Sequence, residues 1–151
     1  MLYEGKAIQV SVNDGIAELI FNNTESSVNK FNRITLEELS SAVKLISEQE
    51  EIHGLIATSG KKGSFIVGAD ITEFGAVFVQ EDQKILDWIA ECNSIFNAIE
   101  DLPYPTASLV NGTALGGGCE MALSTDFRVI SEGAAIGLPE IKLGICPGFG
   151  G

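Results

Sequence analysis

The sequence predicts an α/β fold with crossover helices, and three observations carry that expectation. Short apolar runs of strand length alternate with segments whose apolar residues recur at helical spacing. A triple glycine, Gly116 to Gly118, lies where a strand-like run passes into a helix-like one. A chain of 151 residues with 45% hydrophobic content can bury one sizeable core, so residues 1–151 are read as a single domain.

Ile8 to Val12 and Ile16 to Phe21 read as two strands joined at Asn13-Asp14-Gly15, where Asp-Gly is a strong hairpin signal. Thr35 then begins a helix, with Glu38 at the spacing of a capping box and Leu36, Leu39, Ala42, Val43 and Ile46 on one face. Leu55 to Thr58 is a buried strand. The loop Ser59 to Ser64 leads from it into Phe65-Ile66-Val67-Gly68-Ala69-Asp70. A long helix over about Glu81 to Glu100 follows, because Ile85, Ile89, Cys92, Phe96 and Ile99 share a face, joined by Trp88, and Pro103 stands just beyond the end. Thr106 to Val110 is another buried strand, Cys119 to Ser124 a helix after the glycine turn, and Phe127 to Ile130 a further strand. No tandem repeat, low-complexity segment or linker interrupts this order. Periodicity by itself does not separate such an order from a doubly wound sheet.

Nine Lys and Arg against 21 Asp and Glu give a net charge of −12, which speaks against nucleic acid or an anionic membrane surface as partner. Any polyanionic ligand must then be held by local cations or backbone donors. Lys30, Arg33, Lys61 and Lys62 are the candidates, with ordinary solvated charge as the alternative reading. Cys92, Cys119 and Cys146 are odd in number and unpaired in spacing, as expected of reduced thiols in a cytoplasmic protein. One histidine, His53, at a helix exit, leaves little material for a zinc site or a histidine-based triad, with or without Cys119 as nucleophile, and no metal site is expected. The first residues lack the basic and apolar regions of a signal peptide. Leu102 to Cys119 is uncharged, but its prolines, Asn111 and glycines exclude a membrane helix.

Asn111-Gly112-Thr113-Ala114-Leu115-Gly116-Gly117-Gly118-Cys119-Glu120 places glycines and a carboxylate at a helix entrance, where the first N–H groups have no internal partner and an oxyanion can bind. Taken alone, such a cluster is better read as a packing device or turn with a carboxylate that complements the helix dipole. Gly137-Leu138-Pro139-Glu140 supplies a second carboxylate, and two carboxylates near oxyanion donors point to acid–base chemistry. Glu120, at a helix start, is expected to ionise easily, whereas Glu140, behind Pro139, is expected in a drier loop.

These residues, with Ser27-Val28-Asn29-Lys30-Phe31-Asn32, Gly63 to Phe74, and Leu138 to Gly151 with its Pro-Gly-Phe-Gly-Gly end, resemble the crotonase superfamily of enoyl-CoA hydratases and isomerases. Within it, the likeness is to the amino-terminal domain of bacterial fatty-acid oxidation complex alpha subunits, and it runs the length of the chain. The resemblance narrows the fold to a spiral of strand–strand–helix turns, ending before the carboxy-terminal helices that complete the family's acyl pocket. It implies an enoyl-CoA hydratase of fatty-acid β-oxidation with Δ3–Δ2 isomerase activity. Ala69 and Gly117 N–H groups would form the oxyanion hole, aimed by Gly68, Gly116 and Gly118. Glu120 would activate a water, and Glu140 would supply the Cα proton. Gly68, Asp70, Ile71, Gly116 and Lys30 would contact the CoA ester, with helix capping an equal reading for Asp70. Phe65, Phe74 and Phe78 would line an acyl tunnel or simply belong to the core.

No cofactor is implied for the hydratase step, CoA being part of the substrate. NAD would enter only with the dehydrogenase portion that the alpha subunits carry. The implied partners are further copies of the chain or a thiolase subunit. Two rival readings stand beside this one: another crotonase-type reaction, such as thioester hydrolysis or decarboxylation, and a non-catalytic CoA-binding or assembly fragment.

Overall fold

The chain opens on an antiparallel meander, and the reason is visible at its tightest point. Asp14 (φ 47°) and Gly15 (φ 75°) both take left-handed backbone, as a two-residue hairpin turn matched to strand twist requires. They join β2 (Ile8–Asn13) to β3 (Ile16–Phe21), with Asn13 opposite Ile16. A two-residue strand, β1 (Tyr3–Glu4), lies on the outer side of β2. All 151 residues are described by the computed structural model.

Helix α1 (Arg33–Ser47) starts two residues ahead of Thr35. Its cap is Asn32, whose Oδ1 accepts from the Thr35 N–H and hydroxyl, each at 2.8 Å. The expected capping box therefore does not form. Glu38 turns away from its own helix and accepts from the N–H groups of Lys6, Ala7 and Ile8 at 2.9, 2.9 and 3.0 Å, fastening α1 to the entry of β2. The predicted stripe from Leu36 to Ile46 is buried against the sheet.

From residue 54 the chain repeats one unit three times. The first turn is β4 (Gly54–Ser59), β5 (Ser64–Ile66), the short α2 (Ile71–Phe74) and the long α3 (Asp82–Glu100). The second is β6 (Thr106–Val110), β7 (Thr113–Leu115) and α4 (Gly117–Leu123). The third is β8 (Phe127–Ile130), β9 (Ile136–Gly137) and a 3-10 turn, Glu140–Leu143. First strands extend a six-stranded sheet in the order β1-β2-β3-β4-β6-β8, parallel from β3 onward. Second strands build a separate parallel sheet, β5-β7-β9. This strand–strand–helix spiral is the crotonase arrangement, and the second sheet is what distinguishes it from a doubly wound fold.

Close approach fixes the turns against one another. A Cβ on Gly118 would stand 2.0 Å from the Ile66 carbonyl oxygen, so α4 can lie on β5 only because that side chain is absent. Phe21, Phe31, Phe65, Ile66, Leu19 and Met121 fill the space between the sheets and helices. Buried Asn29 stitches both sheets together, its Nδ2 reaching the carbonyls of Phe21 (2.9 Å) and Phe65 (3.0 Å). The third turn is different. All four residues of β8 are exposed, so it is an open edge rather than an interior strand. No helix is long and apolar enough to cross a membrane.

Candidate active site

A cleft of about 640 Å³ opens where the three strands of the small sheet end. Gly68 and Ala69 follow β5, Gly116 and Gly117 follow β7, and Pro139 and Glu140 follow β9; all six line it, with Glu120 one turn into α4. The carboxyl ends of parallel strands are the usual ligand positions of α/β sheets, because chain leaving the strands there exposes unpaired backbone groups. Trp88, Ile89 and Asn93 of α3 and the loop Cys146–Gly150 close the far side.

The backbone at the cleft floor is set by two glycines in left-handed conformations, Gly68 (φ 106°) and Gly116 (φ 53°). A Cβ on Gly116 would lie 3.7 Å from the Gly68 Cα and 2.7 Å from Glu140 Oε1, so these three segments meet at one point. Phe31 pairs with the chain across Ala69, its N–H donating to the Gly68 carbonyl and its carbonyl accepting from the Asp70 N–H, both at 2.8 Å. In a parallel bridge of this kind the Ala69 N–H points to the opposite side, where no acceptor of the chain meets it. Gly117 is the first residue of α4, and its N–H likewise has no helical partner. Two free donors therefore stand on neighbouring strand ends.

The two carboxylates sit in unlike surroundings, and not in the way the sequence suggests. Glu120 is the drier group. It is 3% exposed, and burial pushes its carboxyl up from 4.5, with the Glu140 charge adding to the rise. The Phe149 and Gly151 N–H groups oppose that by donating to Oε1 at 2.7 and 2.9 Å. The expectation that a helix start would leave Glu120 readily ionised is overturned because α4 is buried along its first turns. Glu140 is only partly buried, at the start of the 3-10 turn, and its Oε2 is shielded from solvent without a hydrogen-bond partner.

The remaining site candidates separate by position. Ile71 lines the cleft, 62% exposed. Asp70 is the cap of α2, accepting from the Thr72 N–H (3.1 Å) and hydroxyl (2.6 Å), and it forms an ion pair with Lys30. The Lys30 ammonium and the Thr72 hydroxyl hold its carboxyl down at about 2. Neither Asp70 nor Lys30 lines the cleft. Arg33 pairs with Glu37, and Lys61 donates to the Asn23 carbonyl; with Lys62, both lie away from the cleft. Phe65 is core, whereas Phe74 and Phe78 form cleft wall. Trp88 is only half-buried, and with Phe74 and Phe149 it belongs to an aromatic wall of that cleft. His53 is exposed beside the β2–β3 turn, its N–H donating to the Gly15 carbonyl. Burial pushes the Cys119 thiol up, and it lines no part of the cleft. No three His, Cys, Asp or Glu side chains lie close enough to hold a metal ion.

Sequence reasoning missed Asn93 and Phe149. Phe149 stacks on Phe96 with ring centres 5.1 Å apart, and it touches Phe31 and Phe74 edgewise. Asn93 donates to the Gly148 carbonyl at 2.9 Å. A polar residue set beside the apolar stripe of α3 was the only signal for it.

The profile of the enoyl-CoA hydratase/isomerase family matches residues 11–151. The fatty acid oxidation complex subunit alpha of Acinetobacter baumannii is 53% identical over 152 residues, a match that covers the whole of this chain and 21% of that protein. Among solved structures, an enoyl-CoA hydratase of Geobacillus kaustophilus superposes with a TM-score of 0.89 at 29% identity, over 99% of this chain and 55% of the other. An enoyl-CoA hydratase of Bacillus anthracis gives 0.83 at 30% identity, over 95% and 55%. The chain thus spans about a fifth of the length of the curated relative and about half of each solved one.

Proposed function

The chain belongs to the enoyl-CoA hydratase/isomerase family, and we propose that its cleft adds water to trans-2-enoyl-CoA thioesters, giving 3-hydroxyacyl-CoA. The observation that carries this reading is the convergence of two free N–H donors and two carboxylates at the mouth of one small sheet.

In this reading the thioester oxygen lies between the Ala69 and Gly117 N–H groups. As water oxygen bonds to Cβ, the Cα=Cβ electron pair moves toward the carbonyl and the oxygen gains charge, which the two donors stabilise; such preorganised donors are often the largest single contribution to catalysis. Glu120 takes the proton that the attacking water loses. Its Oε1 is occupied by the Phe149 and Gly151 N–H groups, which leaves Oε2 for the water. Glu140, with Oε2 unpartnered, delivers a proton to Cα. The proton held by Glu120 then returns to Glu140 through solvent, so the sum is one H and one OH across the double bond with both carboxyls restored. A Glu120 carboxyl raised by burial is a stronger base once ionised than a solvated one, as the task demands.

Δ3–Δ2 isomerisation uses the same two N–H donors for a dienolate, formed as a carboxylate takes a proton from Cα and returns it at Cγ with no water added, and we assign it to the same cleft. Gly68, Gly116, Asp70, Ile71 and Lys30 are assigned to the CoA ester, the last through exchange of its Asp70 partner for a phosphate. The name of the Acinetobacter relative, a fatty acid oxidation complex subunit, supports fatty acyl chains as the substrate class and assembly with other subunits; a thiolase subunit or further copies of the chain are the partners we assign. Neither step calls for a metal or redox group.

The test is to mix the protein with crotonyl-CoA and with 3-hexenoyl-CoA and to follow products by mass spectrometry. Formation of 3-hydroxybutyryl-CoA is expected from the first and 2-hexenoyl-CoA with its hydrate from the second. Free CoA in their place would assign the cleft to thioester hydrolysis, and carbon dioxide released from a separately supplied malonyl-type CoA thioester, with both enoyl esters left unchanged, would assign it to decarboxylation.

A further inference from the structure

The loop after Cys146 gives the cleft a feature that the two carboxylates do not account for. The Gly148 carbonyl and the Phe149 N–H are the two ends of one peptide group. Asn93 Nδ2 donates to the carbonyl end at 2.9 Å. The N–H end donates to Glu120 Oε1 at 2.7 Å. A single peptide plane is therefore held between a helix side chain on one side and the buried carboxylate on the other.

Several observations say that this plane needs holding. Gly148 has nothing within 4 Å of a would-be Cβ, so the residue before the peptide is neither packed nor sterically confined. Glycine also permits the backbone rotation that would turn the plane over. Turned over, the same peptide would present its carbonyl oxygen to Glu120, a repulsive arrangement for a carboxylate. On the other flank Phe149 is locked, its ring stacked on Phe96 and bordered by Phe31 and Trp88. Asn93 is itself fixed by a second Nδ2 contact to the Ile89 carbonyl, one helical turn back, at 2.9 Å. Both of its donors are committed, and its direction along α3 is set.

We propose that Asn93 is a positioning residue: by gripping the Gly148 carbonyl it keeps the Phe149 N–H aimed at Glu120, and so sets the orientation and acidity of that carboxylate. The chain Asn93 to peptide to Glu120 runs from a partly buried side chain to a buried carboxylate, a setting in which each hydrogen bond polarises the next. The proposal rests on the hydratase reading for its consequence in turnover, but not for the coupling itself. Besides the Phe149 and Gly151 N–H groups, the charged group that acts on Glu120 is Glu140 across the cleft, with the Cys119 thiol next to it on α4, and Asn93 hydrogen-bonds to neither.

The experiment uses Asn93→Leu, which keeps the branched shape and loses the donors, and Asn93→Ser, which loses reach without adding bulk. Folding is checked by circular dichroism. Carboxyl 13C NMR follows the titration of Glu120, assigned with Glu120→Gln, and amide exchange follows the Phe149 N–H. Loss of the aimed donor withdraws support from the charged form, so the Glu120 pKa is expected to rise by about 1 unit in both variants, and the Phe149 amide to exchange at least about tenfold faster. An unchanged Glu120 titration in either folded variant overturns the proposal, whether or not the amide exchanges faster. In turnover the same variants should lower kcat for crotonyl-CoA hydration about tenfold with KM nearly constant, and shift the acid limb of the kcat profile upward. A wild type without hydration, in which the Glu120 titration still moves on substitution, would sink the hydratase reading and leave the coupling standing.

Discussion

Glu120 and Glu140 face one cleft from two kinds of structure. Glu120 stands on α4, pressed so closely onto β5 that Gly118 cannot carry a side chain. Glu140 stands on the third turn of the spiral, among residues that pack on little: Ile141 is 81% exposed, and a Cβ on Gly144 would meet nothing. One carboxylate is placed by a crowded interior and the other by a thin outer layer. The difference teaches that a site can divide its requirements, with placement and dryness supplied by one wall and an unpartnered oxygen by the other.

The largest effects should come from the carboxylates. Glu120→Gln and Glu140→Gln are each expected to lower kcat about 10²- to 10⁴-fold, with CoA-ester binding measured by calorimetry nearly unchanged. The double variant should fall well short of the product of the two losses, because groups that act on one water are not additive. Near-wild-type hydration in either single variant would break the pairing.

Packing separates the two walls next. Gly118→Ala drives a Cβ against the Ile66 carbonyl and should cost about 3 kcal/mol or more, whereas Gly144→Ala meets open space and should cost only the strain of its left-handed backbone (φ 68°), about 1 kcal/mol. Urea unfolding of both variants reads the contrast directly. Similar losses would mean that the outer turn is as tightly held as the inner one.

Acidity sharpens it further. Because the Glu120 carboxyl is raised in the folded chain, its contribution to stability is whole below pH 4.5 and declines as the pH climbs through the raised value. Glu120→Gln should remove that decline from a plot of melting temperature against pH. Asp70 behaves in the opposite sense. Held at about 2, it contributes above its ordinary value of 3.8 and loses its contribution as the pH falls toward 2. Asp70→Asn should therefore cost about 1 kcal/mol at neutral pH, a modest figure because Lys30 is partly solvated, and the cost should vanish in acid. The smallest effect is expected at the outer wall itself, where Ile141→Ser should stay within about 0.5 kcal/mol of wild type.

Much of the fold was legible because its signals are local. Asp14-Gly15 announces the hairpin, and the stripes of α1 and α3 are long enough to show their period. The small sheet was not legible, since β5, β7 and β9 have three, three and two residues, too few to display alternation. Missing them hides the reason why Gly68, Gly116 and Glu140 meet. The α1 cap was misread because Thr35 looks like a cap in sequence, while Asn32 does the capping and Glu38 serves the β2 entrance. The acidity of Glu120 was misjudged for a similar reason: a helix start favours ionisation only where water or dipole reaches it, and burial is a property of the whole packing.

The small parallel sheet also acts as a ruler. Neighbouring strands of any sheet lie about 4.8 Å apart, so donors released at the ends of β5 and β7 are metered by hydrogen-bond geometry rather than by side-chain choice. An atom resting above the midpoint of that interval is within bonding reach of both. In the proposed hydration the pitch of the ladder would match the size of one charged oxygen, and the acyl group bearing it could change freely while that dimension stays constant.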